Sequence, residues 1–393
     1  MKIVFLLSRV PYPLEKGDKL RAFQQLKGLS TNHEVHLVCL NDSALHPKTD
    51  SILSKYCKSI SIFKLTKFER VFNVMSGLLN NLPLQVGYFY SKKIHADVEQ
   101  KIKDLEPDLV FCQLIRTAEY VKNLCGLKKV IDFQDAFSKG AEQRIQKSNI
   151  FLRLIYKYEH QSLLAYEKRV FDYFDDWLII SEQDRESIPH PNNNQIKIIP
   201  NGIDTDVYYP KDVEKKYDLL FVGNMQYPPN IDSVRYLVSK ILPGVKRLLP
   251  NIKVLIAGAN PGSSLLKLQS KNIIFSGWVD DISECYADSK LFVAPMRIGT
   301  GLQNKLLEAM AMKLPCITTS LVNNALLAEH DKELIVKNEA KDISSYIVEL
   351  LTNKERAEAL AQSGYQFALK NYDMKVVLSK LEQVITNCVE RKN

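Results

Sequence analysis

No run of apolar residues approaches the length of about 18 that a membrane-crossing helix needs. The apolar stretch Ile3 to Leu7 is also too short for a signal-peptide core, and it stops at Ser8, Arg9 and Pro11. Cysteine shows no pairing pattern: Cys39, Cys57, Cys112, Cys125, Cys285, Cys316 and Cys388 are scattered, with no CxxC and no Cys/His spacing that suits zinc. They read as reduced, mostly buried thiols of a cytosolic protein, and no metal site is expected. No strand-like run leads into GxGxxG. The first is followed by SRVPYPLEKG, and the later IAGANPG has the wrong glycine spacing, which counts against a nicotinamide-dependent oxidoreductase. Low-complexity tracts and repeats of solenoid period are lacking as well.

What is present is a globular composition, 46% hydrophobic and 25% charged, spread over 393 residues. That excludes a disordered chain and predicts two domains of roughly 150 to 200 residues. The formal charge of +8 is lopsided: residues 1–160 carry 25 Lys or Arg against 16 Asp or Glu, and the remainder is close to neutral. The first part should therefore face an anionic surface or substrate. A nucleic-acid partner is not expected.

Short β-branched and aliphatic runs recur, each followed by a helical pattern, as in parallel α/β sheets buried on both faces. They fall at 2–8, 34–40, 59–65, 108–114, 129–133 and 176–181, then restart at 218–224, 253–258, 272–277, 290–295, 315–319 and 333–337. The pattern predicts two doubly wound Rossmann-like domains facing a central cleft, residues 1–195 and 196–372. The interruption around Pro189 to Pro210 supplies the boundary. An amphipathic helix over 373–393, with Val377, Leu381, Val384, Ile385 and Cys388 at helical spacing, is placed back on the first domain. Ligands of open α/β sheets bind at the carboxyl ends of the strands, so function is sought there.

The most informative stretch is APMRIGTGLQNKLLEAMAMKLPCITT, residues 294–319. A strand end is followed by a Gly-Thr-Gly turn and a helix expected to start near Leu302. The glycines allow a sharp turn and close approach, while free amides at a helix start favour an anion. Gly301, Lys305 and Glu308 share one helix face. A cation and then a carboxylate suit a ligand with a diphosphate at one end and a ribose diol at the other. The alternative is a solvated ion pair on a surface helix after a plain glycine turn.

This stretch resembles the donor-nucleotide helix of the family 4 glycosyltransferases, retaining enzymes of GT-B fold, and particularly bacterial sugar transferases of exopolysaccharide systems. The likeness extends over RVPYPLEKGDKLRAFQQL (9–26), VIDFQDAFS (130–138), YEKRVFDYFD (166–175), IISEQD (179–184), IPNGID (199–204), FVGNMQYPPNIDSVRYL (221–237) and residues 277–315. The resemblance implies that Glu308 holds the ribose of a nucleoside diphosphate sugar, UDP favoured over GDP, without a further cofactor. It departs from the family where a first glutamate is replaced by Thr300, leaving Thr300, Gln303 and Asn304 to recognise the sugar. It also departs where an Arg and a Lys after the first strand of the second domain are replaced by Gly223, Asn224 and Met225. Lys305 and Arg297 are the substitutes, with Gly299 and Gly301 shaping the turn. Trp278 and Val279 occupy the place of base contacts, and Gly17 that of a diphosphate contact. The competing assignments are a core or hinge role for Trp278 and an ordinary turn at Asn201 and Gly202. In the first domain Asp132 and Asp135 are candidates beside the reacting centre together with Lys305, and Asp18 and Arg21 are candidates for acceptor binding. For Asp135 the competing assignment is a helix N-cap. The only DxD-like sequence, Asp204 and Asp206 in an interdomain loop, is not placed to hold a metal diphosphate.

Residues 64–82 put Leu65, Phe68, Phe72, Met75, Leu79 and Leu82 along one face beside Lys64, Lys67 and Arg70. Residues 150–171 are similarly apolar, with Arg153, Lys157, Lys168 and Arg169. Such segments either pack on their own sheet or lie on an anionic bilayer. The combined expectation is a metal-independent, retaining hexosyltransferase acting on a glycan or lipid-linked acceptor in cell-surface polysaccharide synthesis. Its expected place is the cytoplasm, with the inner face of the cell membrane as a peripheral site. The alternatives are a non-catalytic nucleotide-sugar-binding homologue, motivated by Thr300, and the oxidoreductase disfavoured above.

Overall fold

The computed structural model describes residues 1–299 and 301–391. The chain divides into two compact units, residues 1–200 with 378–393, and residues 201–377. Each is a parallel sheet covered by helices, a Rossmann-like α/β unit.

The first sheet is built from β1 (Lys2–Leu7), β2 (Glu34–Asn41), β3 (Ser59–Lys64), β4 (Leu109–Gln113), β5 (Lys128–Asp132), β6 (Asp176–Ile179) and β7 (Lys197–Ile198), in the order β3-β2-β1-β4-β5-β6-β7. The order reverses beside β1, which pairs with both β2 and β4. Alternate residues such as Val4, Leu6, Val38, Leu40, Val110 and Cys112 enter one apolar cluster with the helices over that face. Their neighbours Ile3, Phe5, Leu37 and Phe111 are buried as well, and the Phe5 and Phe111 rings stack at 4.7 Å. Burial on both faces is why these strands read as continuous apolar runs.

The second sheet contains β8 (Tyr217–Val222), β9 (Val254–Ala257), β10 (Ile273–Gly277), β11 (Ser289–Ala294), β12 (Cys316–Thr318) and β13 (Ile335–Val336), in the order β10-β9-β8-β11-β12-β13. Period-two alternation is plain on β8, where Leu219 and Phe221 join one apolar cluster and Leu220 and Val222 the other. Gly258, just past β9, is required by close approach: an added Cβ would stand 2.0 Å from the Gly223 carbonyl oxygen.

The expected boundary after residue 195 moves to Pro200. Residues 197–198 pair with β6 and so complete the first sheet rather than opening the second. Asp176, buried at the start of β6, accepts from Lys197 of β7 and from Arg391 beyond the last helix, Met374–Glu390. Leu378, the first residue of that helix in the first unit, lies against Gly28, and Leu381, Ile385 and Cys388 are buried. Six cysteines are buried, Cys125 is exposed, and all seven are free thiols.

Candidate functional site

In the second unit the site is built at the carboxyl end of β11. Thr318, the last residue of β12, and Thr319, just past it, donate hydroxyl hydrogen bonds to the carbonyls of Ala294 and Met296 at 3.0 and 2.6 Å, which fastens the loop leaving β11. Gly299 and Gly301 have φ of 120° and 76°, conformations that other residues rarely adopt. Thr300 lies outside the described residues. The helix begins at Asn304 rather than near Leu302 and runs Asn304–Ala311, with Gln303 in extended conformation before it. The apolar spacing extends back to Leu302, but Gly301 keeps a positive φ and delays the helix.

Lys305 and Glu308 are brought together on this helix. Lys305 Nζ donates to Asn230 Oδ1 at 2.5 Å and stands 4.9 Å from the Phe221 ring centroid. Asn230 lies on the helix Pro228–Tyr236, and its Nδ2 in turn donates to the Asn224 carbonyl at 2.9 Å. Gly223 leaves room for that amide: a Cβ would come within 2.6 Å of it. Burial pushes the Lys305 ammonium down to about 8, opposed by Glu308. Glu308 Oε2 accepts the Tyr286 hydroxyl at 2.7 Å. Burial raises the Glu308 carboxyl, opposed by Tyr286, Lys305 and Tyr208. Tyr286, Tyr208 and Asn230 were missed in the sequence, because their partners lie 22 to 100 residues away in the chain and no local spacing links them.

The remaining expected donor residues divide. Asn304 Oδ1 accepts from Asn201 at 3.1 Å, so the PNGID loop and the site helix meet within this unit. Gln303 is half-buried beside the turn. Trp278, just past β10, is 76% exposed, which corrects the core alternative, and its Nε1 donates to Asp280 at 3.3 Å. Val279 packs partly against the core. Arg297 differs from expectation: its guanidinium makes a two-pronged pair with Asp232 at 3.1 and 2.7 Å and covers the Tyr236 ring at 4.2 Å. Any anion must share it with that carboxylate.

In the first unit two candidates are corrected. Asp132, at the end of β5, is 0% exposed, and its Oδ2 accepts Arg21 Nε and Gln25 Nε2, each at 2.7 Å. Arg21 is buried too, with its other N–H groups directed to the carbonyls of Ile199 and Pro200 at 2.8 and 3.2 Å. The two residues stitch the sheet to the end of β7, since a buried ion pair must satisfy all its donors and acceptors within the fold. Asp135 is half-buried and pushed up to about 7 by burial, with Asp184, Asp132 and Asp18 adding and Arg21 opposing. It is followed by the helix Phe137–Lys147, whose N-cap is Ala136, so the N-cap assignment for Asp135 is also corrected. Gly17 opens the helix Gly17–Leu29 with nothing within 4 Å of its Cβ position, and Asp18 accepts from Arg9 at 3.0 Å. Among the described residues no group of three or more His, Cys, Asp or Glu could hold a metal ion.

The second unit is thus a Rossmann-like sheet whose strand end leads through a glycine turn into a helix carrying a half-buried ammonium and carboxylate. The two parallel sheets together match GT-B glycosyltransferase structures. Residues 216–353 match the family described as Glycosyl transferases group 1. An uncharacterized 44.6 kDa protein in the cps region of Klebsiella pneumoniae is 24% identical over 408 aligned residues, covering 97% of this chain and 98% of that protein. The UDP-Gal:alpha-D-GlcNAc-diphosphoundecaprenol alpha-1,3-galactosyltransferase of Escherichia coli is 26% identical over 178 residues, covering 39% of this chain and 43% of that protein. The HepE protein of Anabaena in complex with UDP and glucose superposes with a TM-score of 0.70 over 98% of this chain and 100% of its own, at 14% identity.

Proposed function

We propose that the chain is a retaining glycosyltransferase that moves a hexose from a nucleoside diphosphate sugar, UDP in preference to GDP, to a glycan or lipid-linked acceptor of cell-surface polysaccharide synthesis. The observation that carries this reading is the Lys305 and Glu308 pair, half-buried one turn apart behind the Gly299 and Gly301 turn, within the segment that matches the glycosyltransferase family. Glu308, steadied by Tyr286, accepts hydrogen bonds from the ribose diol. Lys305 and Arg297 take the diphosphate oxygens, which requires Lys305 to exchange Asn230 and Arg297 to share Asp232. Gln303 and Asn304 recognise the sugar, and Trp278 and Val279 the base.

In the reaction proposed, the glycosidic bond to the diphosphate breaks and the diphosphate leaves with the electron pair. The acceptor hydroxyl bonds to the anomeric carbon on the same face, and its proton passes to the departing diphosphate oxygen. Lys305 supplies the charge stabilisation for this, so no metal step is invoked. Asp135 as a carboxylate steadies the positive charge that develops on the sugar. Asp18 acts on the acceptor side through Arg9.

The proposed place of action is the cytoplasmic face of a membrane. Leu65 and Leu82, outside the two ends of the helix Lys67–Leu79, are buried, but on the helix itself, started by a capping box between Thr66 and Glu69, Phe68 is 84% and Leu79 87% exposed. The side turned inward carries Asn73 and Gly77 instead. The helix Ile150–Phe171 likewise exposes Ile150 at 81% and Phe151 at 74%. Outward apolar faces flanked by Lys64, Lys67, Arg70, Arg153 and Lys157 have the chemistry of helices that lie in an anionic interface. No helix among the described residues is long and apolar enough to cross a membrane.

Release of nucleoside diphosphate from a panel of sugar nucleotides, with an extract of lipid-linked acceptors present, tests the reading. Turnover of a UDP-hexose that is abolished in Glu308→Ala is expected. Tight binding without turnover in the presence of a competent acceptor would establish a non-catalytic homologue instead.

A further inference from the structure

Several guanidinium groups converge at the carboxyl ends of β1, β2 and β4 in the first unit. Arg9 follows β1, Arg116 lies in the turn Ile115–Tyr120 after β4, and Arg144 is on the helix Phe137–Lys147. The guanidinium carbons of Arg9 and Arg116 stand 5.3 and 5.1 Å from the Phe89 ring centroid, and that of Arg116 is also 5.0 Å from the centroid of Phe137. Two carboxylates oppose them. Asp18 is 3.0 Å from Arg9 and 4.0 Å from Arg116, and Asp42 is 3.8 Å from Arg9. Asp42 also receives the Tyr88 hydroxyl, on which Arg70 donates. Arg9 Nε and Arg116 Nε are occluded and make no hydrogen bond.

Half-buried Arg9 and Arg116 are set against Asp18 and Asp42, and Arg144, exposed beside them, brings one cation more than these two carboxylates oppose. Burial and Arg9 lower Arg116 to about 10, with Asp18 and Asp42 opposing and Arg144 adding, so it remains a cation at neutral pH. The extra cation lies at the exposed rim, where an incoming anion can reach it while Arg9 and Arg116 add their field. Planar guanidinium groups match phosphate oxygens in charge and in fork geometry. The cluster also adjoins the outward apolar helices. Arg70 belongs to the helix Lys67–Leu79. Gln85, which accepts from Arg116 at 3.3 Å, donates its backbone N–H to Glu159 of the helix Ile150–Phe171 at 3.3 Å. Arg144 lies 6.0 Å from the centroid of Tyr156 on that same helix.

We propose that Arg9, Arg116 and Arg144 form a subsite for the phosphate group of a lipid-borne acceptor, whose chain lies along the exposed faces of the helices Lys67–Leu79 and Ile150–Phe171. This rests on the glycosyltransferase reading for the acceptor's role, whereas the binding of the phosphate can be measured without it. The experiment titrates the full chain with inorganic pyrophosphate, farnesyl diphosphate and glucuronate, each with and without excess UDP, and repeats this for Arg116→Gln, Arg144→Gln and Phe151→Ser. Arg144 is exposed, so its replacement leaves folding intact, and thermal melts check all three variants. Expected are tighter binding of farnesyl diphosphate than of pyrophosphate, and about tenfold or greater weakening of both in the two arginine variants. Phe151→Ser should remove the advantage of farnesyl diphosphate alone. Unchanged affinities in Arg116→Gln and Arg144→Gln, or complete competition by UDP, overturn the subsite. Equal affinity for farnesyl diphosphate and pyrophosphate overturns its assignment to a lipid-borne phosphate, and glucuronate binding as tightly as pyrophosphate overturns its preference for phosphate. Loss of sugar-nucleotide turnover with these anion affinities intact would instead count against the glycosyltransferase reading alone.

Discussion

Lys305 and Asp135 hold the groups whose protonation should govern turnover. Burial raises Asp135 to about 7 and lowers Lys305 to about 8. If Asp135 acts as a carboxylate and Lys305 as an ammonium, kcat/KM rises as pH passes about 7 and falls above about 8, a bell with a narrow top. Asp135→Asn should lower kcat/KM by on the order of tenfold to a thousandfold and remove the acid limb while leaving the alkaline one. A profile that keeps both limbs in the variant would contradict that role. Glu167 offers a stability test at the same scale. It is fully buried, accepts the Ser138 N–H at 3.1 Å, and is pushed up to about 7 by burial, with Ser138 opposing and Asp184 adding. The unfolded chain releases this proton near 4.3, so between about pH 4 and pH 7 the folded state binds more protons and loses stability as pH rises. Glu167→Gln removes that loss. Its melting temperature relative to the parent should be higher at about pH 8 than at about pH 5, by the equivalent of about 2 kcal/mol.

Strands and helices show where sequence reading succeeds. Twelve apolar runs were legible because a parallel strand covered on both faces must be apolar on both, whichever residues its neighbours are. β7 was not, since two residues carry no periodicity and only pairing with β6 defines them. Nor were the positions of Asp132 and Arg21 legible: they are 111 residues apart, and nothing local tells a buried structural ion pair from a site at a strand end. The spacing of Lys305 and Glu308 was legible because one helix holds both. Gly258 gives a direct element-level prediction. Gly258→Ala forces a side chain onto the Gly223 carbonyl at φ of 131° and should destabilise the fold by about 2 kcal/mol or more in denaturant titration. The helix Lys67–Leu79 was legible as amphipathic but not in its direction, because a stripe at helical spacing packs inward or outward according to its surroundings. Phe72→Ser with Phe151→Ser should reduce co-sedimentation with anionic vesicles severalfold and leave the melting temperature within a few degrees, since both rings are exposed. Unchanged vesicle binding would return these faces to unexplained surface.

At the scale of the whole molecule, the charge asymmetry has a location. The near-neutral second unit carries a few directed groups around Lys305 and Glu308, while the basic first unit carries the arginine cluster and the outward apolar helices. The last helix returns the chain to the first unit through Leu378, Leu381 and Ile385. Donor recognition in the second unit is the claim on which the remainder depends. Calorimetric titration of the full chain with UDP, GDP and NADH, repeated with Glu308→Ala, tests it most directly. UDP should bind most tightly of the three and lose affinity by on the order of a hundredfold in the variant. An absence of UDP binding, tighter binding of NADH, or a Glu308→Ala variant that binds UDP as well as the parent would contradict it.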